Sequence, residues 1–92
     1  MKIEHHQDDQ QFVAIEEGTV GFLTYTILPD QKTLDYQHTF VPPEFRGKHI
    51  AQDIVKFALD FAKEKGYKVL PTCPFVKLFI DKHPEYKDLV KR

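Results

Sequence analysis

The chain has a single cysteine, so no internal disulfide framework can form. No apolar run reaches the length of a membrane-crossing helix. An excess of either charge is also lacking. The formal net charge is −1 at pH 7, which offers no basic field to nucleic acid. The five histidines are scattered and match no zinc-binding spacing. The start, Met1-Lys2-Ile3-Glu4, has no apolar signal-peptide core. No repeat, low-complexity tract or linker breaks the sequence. These absences predict a cytoplasmic protein with no metal, membrane or nucleic-acid partner.

At 92 residues the chain fits one small domain, 1–92. Its 41% hydrophobic content is that of a folded protein. Eight Phe and four Tyr can supply much of the core, because large rings bury the most area per residue. So many rings in so small a domain predict a monomer or a weak homodimer.

Residues 2–6 and 11–16 read as short strands, and Glu17-Gly18 as a turn. Thr19 to Leu28 mixes β-branched and aromatic residues and reads as the strongest strand. Pro29-Asp30 makes the next turn. Thr33 to Val41 alternates, which predicts Leu34, Tyr36, His38 and Phe40 on one face and Asp35, Gln37 and Thr39 on the other. Pro42-Pro43 ends that strand. The period then changes. Ile50, Ile54, Phe57 or Ala58, and Phe61 mark an amphipathic helix that Gly66 stops. Lys68 to Leu70 is a short strand, able to pair in parallel with 33–41 around a right-handed crossover. Pro74 opens a second helix with Cys73 at its N-cap, and Pro84 restarts the chain after it. The order ββββαβα plus a terminal turn or helix predicts an α+β fold, an α/β sandwich with helices on a mixed sheet.

The run from Phe40 to Ala51 carries the strongest functional signal. A strand end, a double-proline break and a short basic loop lead into a helix start. That start leaves backbone N–H groups unpartnered at the positive end of the helix dipole. With Arg46 and Lys48 beside it, it is a candidate seat for a phosphate or pyrophosphate, unless both are simply solvated loop charges.

Arg46-Gly47-Lys48-His49-Ile50-Ala51 resembles the acetyl-CoA-binding motif of the GCN5-related N-acetyltransferases, written Q/R-x-x-G-x-G/A. Arg46 and Ala51 match two of its defining positions, and His49 stands where the family has glycine. The blocks Cys73-Pro74-Phe75 and His83-Pro84-Glu85-Tyr86 resemble a short single-domain branch of that superfamily. The resemblance covers roughly residues 10–90. It implies a reduced version of the family fold: a mixed, mostly antiparallel sheet with a central splayed parallel pair and two or three helices. It implies acetyl-CoA as co-substrate and an amine, small or protein-borne, as acceptor. Backbone N–H groups from Arg46 through Gly47, Lys48, His49, Ile50 and Ala51 would hold the CoA pyrophosphate. The pantetheine arm would lie along Phe40, Val41 and Pro42.

His49 departs from the motif, and glycine there permits positive φ. The expectation is weaker or altered CoA binding, or a ring placed against a phosphate. Cys73 is the candidate acetyl acceptor, since a helix N-terminus favours its thiolate; a small buried hydrophobe is the plainer reading. His38 is the candidate base for Cys73 or for the amine, or else a core histidine. Lys77 reads as solvent-facing and Tyr86 as a packing residue. A CoA- or acyl-CoA-binding module without catalysis, or a protein-interaction module, is the alternative to an enzyme.

Overall fold

The computed structural model describes residues 1–45 and 47–91. Five strands, β1 (Lys2–His6), β2 (Gln11–Glu16), β3 (Thr19–Ile27), β4 (Thr33–Phe40) and β5 (Lys68–Leu70), join in chain order into one sheet. Helix α1 (Ile50–Lys65) connects β4 to β5, and α2 (Pro74–Lys82) follows β5. A 3-10 segment, Pro84–Leu89, completes the order. The first three pairings are antiparallel and the β4–β5 pairing is parallel. The expected mixed sheet is therefore present. Its parallel pair lies at one end rather than at the centre, because β5 is the last strand and only helical segments follow it among the described residues. Among the described residues, a single bridge from Val69 to Val90 is all that extends it.

Local chemistry accounts for most boundaries. Glu17 and Gly18 both take positive φ (50° and 80°), the two-residue turn that matches strand twist. Gly66 caps α1 at φ 77°, its N–H donating to the carbonyls of Ala62 and Lys63. Asp30 organises the β3–β4 turn. Its Oδ1 accepts from the Lys32 and Thr33 amides at 2.8 and 3.0 Å, and its Oδ2 from Thr33 Oγ1 at 2.8 Å and Lys91 Nζ at 2.6 Å.

The Lys91 contact, then the Lys32 and Thr33 donors, hold the Asp30 carboxyl well below its ordinary value of 3.8. A depressed folded-state value stabilises the fold above the ordinary carboxylate pKa and loses that effect as pH falls below it. Asp30→Ala is therefore expected to lower the thermal midpoint at neutral pH. The gap to the parent should narrow progressively below about pH 4, as followed by circular dichroism.

The core lies between one sheet face and the helices. Phe12, Leu23, Leu34, Tyr36, Ile54, Leu59 and Val69 are fully buried there. α1 buries Ile50, Ile54, Val55, Ala58, Leu59 and Ala62, so Ala58 rather than Phe57 continues its inner stripe. The Tyr36 hydroxyl donates to the Ala58 carbonyl at 2.6 Å, tying β4 to the helix above it. Tyr86 packs, as expected, and its hydroxyl donates to Asp60 Oδ1 at 2.7 Å. Gly21 is needed on this face, since a Cβ there would sit 3.1 Å from the Phe40 carbonyl oxygen. The other sheet face has no helix over it among the described residues, and Val20 and Phe40 are exposed there.

A β-bulge changes one sequence expectation. Tyr25 pairs with Tyr36 and Thr24 with His38, so Gln37 is an extra residue in β4. One extra residue inverts the alternation beyond it. Leu34 and Tyr36 point into the core as expected, but His38 and Phe40 turn to the open face. There Phe22 sits 6.4 Å and 5.4 Å from their rings. Thr39, opposite buried Leu23, takes the inner position instead.

Candidate functional site

The β4–β5 pairing ends at Asp35 and Leu70. The Cys73 amide donates to the Tyr36 carbonyl at 2.9 Å, and beyond it the two chains diverge. Residues 37–40 have no strand beside them on that side among the described residues. An open cleft of about 400 Å³ lies nearby. Val41 lines it from the end of β4, and Phe45 from the short 3-10 turn after it. Phe75 lines it from the first turn of α2. The remaining wall is the loop and helix start: Gly47, His49, Ile50, Ala51 and Gln52.

That wall has the geometry of an anion seat. Gly47 has φ 79° and His49 has φ 59°, both left-handed. The chain then enters α1 at Ile50, and the Asp53 amide makes the helix's first bond, to the His49 carbonyl at 3.0 Å. The amides of Ile50, Ala51 and Gln52 have no intrahelical partner, and all three residues line the cleft. Lys48 is exposed, and its Nζ lies 3.5 Å from Glu16 Oε2, so its charge is shared with that carboxylate. Arg46, expected at the same seat, lies outside the described residues. Pro42 is buried and Val41 half-buried, whereas Phe40 turns away to the open face.

His49 occupies a conformation that costs an L-residue roughly 1–2 kcal/mol. Its Nδ1–H donates to Gln52 Oε1 at 2.7 Å, which keeps the ring on the exposed rim. Glycine would remove the strain but gives back roughly 0.5–1 kcal/mol of unfolded-state freedom. His49→Gly is therefore expected to stabilise the fold by up to about 1 kcal/mol in urea denaturation. The same change would let an anion approach the backbone amides more closely, whereas weaker anion binding in the variant would make the ring an anion contact.

Cys73 sits where the sequence put it, at the N-cap of α2 with Pro74 at the first helical position. It is buried, 5% exposed. Its Sγ lies 3.6 Å from Thr39 Oγ1, the thiol donating to the hydroxyl. Burial pushes the thiol pKa up. The Thr39 hydroxyl and the backbone N–H groups of Val76, Phe75 and Thr39 outweigh that and bring it below its ordinary value. The bulge that brings Thr39 to Cys73 also removes His38, which lies on the opposite sheet face. The two expected catalytic residues are thus not brought together. Thr39, Phe45, Gln52 and Phe75 were not singled out from sequence. Phe75 alone had a legible cue, its place directly after the proline that starts α2. Lys77 is exposed and 3.7 Å from Asp81, and it does not line the cleft.

Comparison with known proteins agrees with this architecture. The family model described as GCN5-related N-acetyl-transferase matches residues 11–89. Protein NATD1 of Danio rerio is 33% identical over 94 residues, covering 98% of this chain and 84% of that protein. Protein NATD1 of Xenopus tropicalis is 34% identical over 86 residues, covering 91% and 78%. The human protein of the same name is 31% identical, covering 91% and 75%. The solution NMR structure of a GCN5-like protein from Staphylococcus aureus superposes with a TM-score of 0.73 at 24% identity. That superposition covers 98% of this chain and 87% of the other, and it establishes a shared fold.

Proposed function

Because the chain belongs to the GCN5-related N-acetyltransferase family, we propose that it binds acetyl-CoA in the cleft at the start of α1 and transfers the acetyl group to an amine. The observation that carries this reading is the left-handed loop at Gly47 and His49, which leads into a helix start whose first three residues line the cleft and whose amides have no hydrogen-bond partner among the described residues. Such amides, at the positive end of a helix dipole, suit a pyrophosphate. The unpaired edge of β4 offers main-chain partners to the amide-bearing pantetheine arm. The apolar surfaces of Val41, Phe45 and Phe75 suit its methylene groups.

Two routes for transfer fit the residues. In the direct route a neutral amine attacks the thioester carbonyl, the CoA thiolate leaves, and the new amide loses its proton to water. In the covalent route the Cys73 thiolate attacks that carbonyl and the CoA thiolate leaves. The amine then attacks the acetyl-Cys73 carbonyl, Cys73 leaves as a thiolate, and the new amide loses its surplus proton to water. We favour the covalent route, because Thr39 Oγ1 lies 3.6 Å from the sulfur and, with the amides at the start of α2, brings the thiol below its ordinary pKa. His38, on the other face, is not the base for Cys73 in this mechanism.

A binding module without transfer is the second reading. It draws on the burial of Cys73 and on the strained histidine in the loop. A thiol-release assay with acetyl-CoA and a panel of primary amines separates the two. Amine-dependent CoA release, with acetyl mass on the protein when amine is withheld, is the expected result. Binding of CoA with neither release nor protein acetylation would leave the second reading standing.

A further inference from the structure

Helix α1 and the outer edge of the sheet enclose a second groove, on a different side of α1 from the cleft and lined by different residues. Alternate residues of the first strand, Ile3 and His5, form one wall with Met1. The other wall is a helical stripe at spacings of three and four: Asp53, Phe57, Asp60, Phe61 and Glu64, with Lys56 beside it. Two cavities, of about 270 and 300 Å³, share Phe57 and Asp60, so the groove is continuous. Phe57 is 39% exposed at its middle. β1 pairs with β2 alone, so its outer edge presents unpaired N–H and C=O groups among the described residues.

We propose that this edge and groove bind an extended basic segment of a partner protein, added to the sheet as a sixth strand beside β1. Charge complementarity selects the occupant. Asp53 and Glu64 make no ion pair among the described residues, and Asp60 is shared between Lys56 and the Tyr86 hydroxyl. Three carboxylates thus face the Lys56 ammonium and the Met1 amino group, which itself lies 3.9 Å from Glu16 Oε1, so the lining keeps an acidic excess. The floor between them is aromatic: Phe61 packs on the His5 and Phe12 rings, and Phe57 lies open. Arginine or lysine fits such a lining, its aliphatic stem on the rings and its charge at the carboxylates.

The dimensions agree as well. From Asp53 to Glu64 the helix rises about 16 Å, and five extended residues span about 16 Å. A strand added to β1 would point every second side chain into the groove, so the segment should carry Arg or Lys at alternate positions.

The test uses the full chain, isotope-labelled, titrated with an end-blocked seven-residue peptide of alternating Arg and Val. Saturable shifts of β1 amides and of the groove face of α1 are expected. Phe57→Ala and Glu64→Lys, both exposed substitutions, should each weaken binding roughly tenfold or more. The analogue with Glu for Arg, and one N-methylated along its bonding edge, should not bind. No saturable shift, equal binding of the acidic analogue, indifference to Glu64→Lys, or shifts mapping elsewhere would each overturn the proposal. So would a concentration-dependent shift of β1 without peptide, which would assign the edge to a second copy of this chain.

Discussion

Cys73→Ser is expected to lower amine acetylation by roughly a hundredfold or more, the scale of losing a positioned catalytic group, while leaving CoA affinity and stability close to those of the parent. Serine is a preferred N-cap residue, so α2 keeps its start. Serine's shorter side chain loosens the 3.6 Å contact with Thr39, but its oxygen can accept from the amides at the start of α2 instead. What is lost is an ionisable nucleophile. Thr39→Val is the companion change, nearly isosteric but without the donor. It should move the rise of activity with pH to higher pH, since the hydroxyl is the largest of the groups favouring the thiolate. An acetyl adduct on the parent that is absent from Cys73→Ser would complete the pattern. Full activity in Cys73→Ser would instead require the direct route.

Ala51→Glu is expected to separate stability from binding. Ala51 is in the first turn of α1 and lines the cleft. A carboxylate in a helix's first turn interacts favourably with the dipole, by about 0.3–1 kcal/mol. The variant should therefore unfold at the same or higher urea concentration. A phosphate bound at the same amides would meet the new charge at close range. Two unit charges 5 Å apart at an effective dielectric of 20 repel by about 3 kcal/mol. CoA affinity should accordingly fall roughly a hundredfold, and less at high salt. Equal loss of stability and affinity would point to simple misfolding of the loop.

Much of this architecture was legible because its signals are local. Double proline at 42–43, the change of period after Ile50, Gly66 and Pro74 each act within a few residues, and the boundaries of α1 and the N-cap at Cys73 followed. The requirement for positive φ at residue 49 was legible through the family pattern, since glycine occupies that place in the motif. The facing of β4 was not. Gln37 carries no mark of a bulge, and neither side of it departs from a normal strand alternation. The bulge is set by tertiary packing, where Tyr36 reaches Ala58 and Tyr25 lies across from it. One uncounted residue was enough to exchange Thr39 for His38 beside the thiol. The position of the parallel pair at the sheet's end follows from the order ββββαβα, in which no strand comes after β5; the central place was implied by the family resemblance alone.

The central claim is that the start of α1 is a CoA pyrophosphate seat. A titration of the isotope-labelled chain with acetyl-CoA, followed by amide shifts, tests it most directly. The account predicts saturable binding with the largest shifts at Gly47, His49, Ile50, Ala51 and Phe75. Ala51→Glu should abolish those shifts. No saturable response at millimolar acetyl-CoA, or shifts confined to residues away from that loop, would contradict it.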